Sequence, residues 1–154
     1  MKTRSKAHHL CHIVAVTNNK GGAGKTSTVL NLAAAISQRI EDYRVLVIDL
    51  DPQRNLSYFF GWSDQRELEG APTVFSSLSN ENQGLPVYAT SKPNLYLCPS
   101  SVKLNGIDAI LSMRPNPSMA LAEVLSRPLD DRGSVHSGSV ATTTLPTNIA
   151  DDPL

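Results

Sequence analysis

The stretch Lys20-Gly21-Gly22-Ala23-Gly24-Lys25-Thr26-Ser27 constrains this chain more than any other feature. It follows Ile13-Val14-Ala15-Val16, a largely β-branched run that reads as a buried strand. From Lys25 the period turns helical, with Val29, Leu32, Ala33, Ile36 and Ile40 on one face and a predicted end near Glu41-Asp42. Val45-Leu46-Val47-Ile48 reads as a second buried strand with Asp49 at its C-terminal end. Strand, glycine loop, helix and strand in that order make a βαβ unit. Such a unit requires a parallel pair and a right-handed crossover, so the chain is predicted to be α/β with a parallel sheet and flanking helices.

Each residue type in the loop suits phosphate chemistry. Glycines let the backbone curl until consecutive N–H groups converge on phosphate oxygens. The helix opening at Lys25 presents its positive end to the same point. Lys25 is a mobile point charge for β- and γ-phosphates, and the Thr26 hydroxyl suits magnesium. Asp49 and Asp51, two residues apart at the end of the neighbouring strand, suit magnesium and water handling. A plain glycine turn with incidental lysines leaves the flanking strand and helix unexplained.

Charge supports an anionic ligand. The net charge of zero hides a split: residues 1–44 carry seven Lys/Arg against Glu41 and Asp42, and residues 45–154 carry seven against twelve acids. That is +5 against −5, too modest and too scattered for a duplex-binding stripe. At 154 residues with 40% hydrophobic content, one ordinary domain with a core is expected. No apolar stretch is long enough for a bilayer span, and no secretory core follows the basic N-terminus, so a cytoplasmic location is expected. Cys11 and Cys98 form neither a disulfide framework nor zinc spacing; His8, His9 and Cys11 read as part of a polar leader over residues 1–11, and His12 begins the first predicted strand.

Beyond the second strand, a turn near Gly70 precedes a short helix from Pro72-Thr73-Val74-Phe75 through Leu78. Asn94 to Cys98, bounded by prolines, reads as a third strand containing a core cysteine. Lys103–Met113 is weakly helical, and Asn116-Pro117 opens a helix that Pro128 stops. Trp62, Tyr58, Phe59 and Phe60 read as packing residues. From about Gly133 the chain is rich in Ser and Thr with no sustained period, so residues 132–154 are expected to be a disordered tail.

The loop departs from a standard phosphate loop: Asn19 stands where glycine is usual, and Lys20 precedes the double glycine. Lys20 to Thr26 matches Lys-Gly-Gly-x-Gly-Lys-[Thr/Ser], and Asp49-Leu50-Asp51-Pro52-Gln53 matches a second motif of the same proteins. The sequence thus resembles the deviant Walker A family of ParA and Soj partition ATPases, MinD and the nitrogenase iron protein, with the partition branch nearest. Looser likeness extends over residues 12–131, through Gly70-x-Pro72-Thr73-Val74 and Asn94–Ser100. Arg54 stands where that family usually has a small residue.

The resemblance implies a P-loop NTPase-like domain that binds ATP and Mg2+ through Lys20, Gly21, Gly22, Ala23, Gly24, Lys25, Thr26 and Ser27. It implies that Lys20 reaches the phosphates of the partner in a nucleotide-dependent homodimer, that Asp51 positions the attacking water, and that Thr26 and Asp49 serve the magnesium shell. A ParB-like partner and non-specific DNA follow from the family; membrane anchoring does not, since the family's basic amphipathic C-terminal helix is missing. A Walker B strand, apolar and ending in Asp, is not found after Ser100. The chain is therefore expected to be an incomplete domain, truncated before that strand, with a tail from a shifted reading frame and an uncovered sheet edge. Two alternatives stay open: a catalytically inactive nucleotide-binding remnant and, more distantly, a dinucleotide-binding oxidoreductase domain.

Overall fold

The structure, a computed structural model, describes residues 11–39 and 43–127 and the backbone of residues 139–144. Strand β1 (His12–Val16) leads through the glycine loop into helix α1 (Lys25–Arg39), and β2 (Arg44–Asp49) follows. Three short helices come next: α2 (Asn55–Phe59), α3 (Asp64–Leu68) and α4 (Val74–Ser79). Strands β3 (Tyr88–Ala89) and β4 (Leu95–Cys98) precede α5 (Ile107–Leu111) and α6 (Ala120–Ser126), each entered through a 3-10 turn. The last described element is β5 (Ser139–Thr144).

These strands form one sheet in the order β1-β5-β2-β4-β3, parallel except for β3. β2 and β4 pair from Val45 opposite Leu95 to Ile48 opposite Cys98. Successive side chains of a strand point to opposite faces, and β2 divides the core accordingly. Val45 and Val47 pack with Val29 and Ala33 of α1, Leu56 of α2 and Leu95. Leu46 and Ile48 pack on the other face with Val74 and Leu78 of α4, Ala120 and Val124 of α6, and Cys98. Helices cover both faces, as a parallel sheet requires.

Two partly buried arginines close the second layer. Arg127 Nη1 donates to the carbonyls of Ser77, Asn80 and Gln83 at 3.2–3.4 Å. Arg114 donates to the Leu78 carbonyl and pairs with Glu81 at 3.5 Å. Cations suit the carbonyl-rich C-terminal end of α4, where the last helical acceptors lack intrahelical partners.

Three features differ from the sequence expectations. β1 is a strand but is not buried: it lies at the sheet's edge, and Ile13 is 56% exposed. Edge position is set by the rest of the fold and leaves no local mark. The tail, expected to lack structure, contributes β5, which pairs with β1 and β2. Its Val and three Thr have high β-propensity despite the segment's polar composition. The expected uncovered edge next to the glycine-loop strand is thereby filled on its inner side. Residues 1–10 of the leader, Ile40 to Asp42, and the rest of the tail lie outside the described residues.

Candidate phosphate-binding site

The glycine loop leaves the C-terminal end of β1 and the acidic turn leaves the C-terminal end of β2, on the same side of the sheet. Val16 and Asp49 are both in register with Thr144 of the intervening strand, so the two segments start at one level. Ligands of open parallel sheets collect at this edge.

Gly22 and Gly24 have φ of 70° and 80°, the left-handed region, and this is what turns the chain over the strand end. α1 then begins with Thr28 N–H donating to the Gly24 carbonyl at 2.8 Å, so the amides of Lys25, Thr26 and Ser27 precede its first helical bond. The first turn of α1 carries no acidic residue. Lys25 Nζ donates to the Asn18 carbonyl at 3.2 Å, which folds the lysine back over the loop. Asn18 Oδ1 also accepts from the Lys20 amide at 2.9 Å.

A cavity of about 380 Å3 opens between the two segments, lined by Gly21 to Ser27 on one wall and by Asp51, Gln53 and Asn55 on the other. Asp51 is the one acidic residue in that lining. Its Oδ1 accepts from the Gln53 amide at 2.8 Å, closing a tight turn. The structure therefore brings together seven of the expected site residues, Gly21 through Ser27, with Asp51.

Lys20 and Asp49 stand apart from this lining. Lys20 is exposed and directly precedes the first lining residue, Gly21. Asp49 is fully buried: Oδ1 accepts from the Asp51 amide at 3.1 Å, and Oδ2 accepts from the Ser57 amide at 2.8 Å and hydroxyl at 2.6 Å. Asp49 and Asp51 look equivalent as a spaced pair, but the chain turns between them and sends only the second to the cavity.

Gln53 and Asn55 also line the cavity, although composition and period give them no role. For Gln53 the signal was its place in the Asp-x-Asp-Pro-Gln motif. Arg54 adopts φ 60°, ψ 21°, the conformation that a small residue or glycine enters most easily. Asp108, the first acidic residue after Ser100, is exposed in the first turn of α5 and does not end a strand. Among the described residues, no group of three His, Cys, Asp or Glu is arranged to hold a metal by itself, and no helix is long and apolar enough to cross a membrane.

Comparison with known proteins agrees with this architecture. A profile of an AAA-domain family matches residues 11–131. The chain is 34% identical over 119 residues to the chromosome partitioning protein ParA of Myxococcus xanthus, covering 76% of this chain and 40% of that protein. Soj, the sporulation initiation inhibitor of Bacillus subtilis, is 34% identical over 97 residues, 62% of this chain and 36% of Soj. The chain thus spans less than half the length of these curated relatives. Cobyrinic acid a,c-diamide synthase from Mycobacterium smegmatis, solved with bound ADP and magnesium, superposes with a TM-score of 0.74 at 27% identity, over 90% of this chain and 52% of that one. With a strand–glycine-loop–helix unit, a cavity at the sheet's carboxyl edge and a family match across most of its length, the chain belongs to the AAA-domain family and is ParA/Soj-like in the part it spans.

Proposed function

We propose that this chain binds Mg-ATP in the cavity between Gly21–Ser27 and Asp51, as the nucleotide module of a partition-type ATPase working in the cytoplasm. The observation that carries the reading is the cavity itself, with loop amides and Lys25 on one wall and a single carboxylate on the other. The loop amides and the start of α1 take the phosphate oxygens. Lys25 swings from the Asn18 carbonyl to the β- and γ-phosphates, exchanging one acceptor for a charged one.

The donor set fits magnesium carried on a nucleotide: Thr26 offers a hydroxyl and Asp51 a hard oxygen, and the remaining positions fall to phosphate and water. When bound, the ion neutralises phosphate charge. Asp51 orients the attacking water, and Asp49 serves that site through the turn it holds. Lys20, exposed and outside the cavity lining, is suited to a second protomer's phosphates in a nucleotide-dependent homodimer. A ParB-like protein and non-specific DNA are the partners this reading assigns to the full system.

The test is thermal unfolding with and without Mg-ATP, in wild type and Lys25→Ala. Ligand at about a hundred times its Kd stabilises the native state by ~2.7 kcal/mol. Stabilisation in wild type alone supports the site; equal stabilisation in both proteins removes it.

A further inference from the structure

Asp51 is held by a buried polar network whose other members do not line the cavity. Its amide donates to Asp49 Oδ1 at 3.1 Å, and its carbonyl accepts from Ser100 Oγ at 2.6 Å. The Ser100 amide donates to Ser57 Oγ at 2.9 Å, and Ser57 in turn donates to Asp49 Oδ2 through both its amide and its hydroxyl. Asp49, Ser57 and Ser100 are each 0% exposed. The ring therefore joins the end of β2, the middle of α2 and the segment just after β4, and grips the backbone of Asp51 from both sides.

A buried network in which these groups find partners is rigid, and it imposes its geometry on what it holds. The next residue reinforces the grip. Ser101 Oγ donates to Glu67, and Glu67 pairs with Arg54 at 3.3 Å, so β4 also fixes the far end of the Asp51–Arg54 turn. None of these residues except Asp51 lines the cavity.

We propose that Ser100 and Ser57 are positioning residues for turnover: they hold Asp51 in its cavity-facing pose, so that the end of β4 governs hydrolysis without contributing to nucleotide affinity. This rests on the Mg-ATP reading above. The physical basis is that a carboxylate displaced by about an ångström loses much of its orienting power, while the loop amides and Lys25 that supply affinity stay in place.

The experiment compares wild type, Ser100→Ala and Ser100→Thr as full chains. Three readouts are taken: Mg-ATP affinity, single-turnover hydrolysis, and amide hydrogen exchange over residues 51–55 without nucleotide. Ser100→Ala removes one hydroxyl but keeps the backbone bond to Ser57, and Trp62 emission checks that the fold persists. The expected result is about ten-fold slower hydrolysis with affinity within about two-fold of wild type, and recovery in Ser100→Thr. Exchange over 51–55 should quicken while that of 45–48 does not. Parallel losses of rate and affinity, or neither, overturn the proposal. A wild type that does not bind Mg-ATP instead defeats the functional reading. In that case, or where binding occurs without turnover, exchange decides: unchanged protection of 51–55 in Ser100→Ala overturns the positioning role and faster exchange supports it.

Discussion

Arg54 Nη1 lies 2.6 Å from Asp64 Oδ1, and this pair joins the acidic turn to α3. The same guanidinium reaches Glu67 at 3.3 Å and sits 5.0 Å from the centre of the Tyr58 ring. Only 13% of the arginine side chain is exposed. These contacts hold a non-glycine residue in the left-handed region, at a cost of about 1–2 kcal/mol that an L side chain otherwise avoids. Strain and ion pairing therefore oppose each other at one residue.

That opposition separates two substitutions. Arg54→Ala loses the pairs and keeps the strained backbone, whereas Arg54→Gly loses the pairs and relaxes it. Urea unfolding should place Arg54→Gly above Arg54→Ala in stability by roughly 1 kcal/mol. The opposite order would mean that the turn does not hold Arg54 left-handed in solution.

Asp51→Asn should leave Mg-ATP affinity within a few-fold and reduce hydrolysis by about a hundred-fold or more, since the amide keeps the shape but not the charge of the group facing the cavity. Equilibrium binding and single-turnover kinetics on one preparation measure both. Hydrolysis at the wild-type rate would move the water-orienting role to another residue.

The two thiols should differ sharply. Cys98 is fully buried in β4, and burial first, then the nearby Asp49 carboxylate, pushes its thiol well above the usual range. Cys11 is exposed. A thiol reagent should label Cys11 in the native chain and reach Cys98 only on unfolding. The linkage also has a sign: the native thiol keeps its proton where the unfolded one, titrating near about 8.5, releases it. Stability is unaffected by this group below that pH and falls above it, by up to ~1.4 kcal/mol per pH unit. Cys98→Ala under reducing conditions should flatten that alkaline decline; an unchanged slope would exclude Cys98 as its source.

Arg127→Ala should cost about 1.5–3 kcal/mol, because one guanidinium nitrogen serves three carbonyls at the end of α4 and in the segment after it. Arg127→Lys should recover little, since an ammonium lacks the planar fork. Denaturant midpoints of the three proteins check this, and full recovery by lysine would show that charge alone matters there.

What the sequence makes legible is local. The glycine loop, α1 and β2 are readable because period and residue type change within a few positions, at Lys25 and again at Val45. α2, α3 and β3 are too short for a period to declare itself. The edge position of β1 depends on which strands join it, and β5 carries its β-branched residues inside a polar, Ser/Thr-rich segment. At the site, the phosphate wall is written in the loop, but the different fates of Asp49 and Asp51 are not. They depend on Ser57 and Ser100, 8 and 49 positions from the residues they bind.

β5 has a consequence in time. β1 and β2, which carry the two walls of the cavity, do not pair with each other; the strand between them comes from residues 139–144. At ordinary strand spacing they sit about 10 Å apart, a gap that only the late-synthesised segment fills. A chain emerging from the ribosome therefore makes loop, helix and acidic turn long before it can set them side by side. Pairings this distant in sequence slow the search for the native state. Nucleotide affinity gained during refolding should follow the slowest phase, after the helices have formed; affinity appearing with the first helical signal would show that the walls find each other without β5.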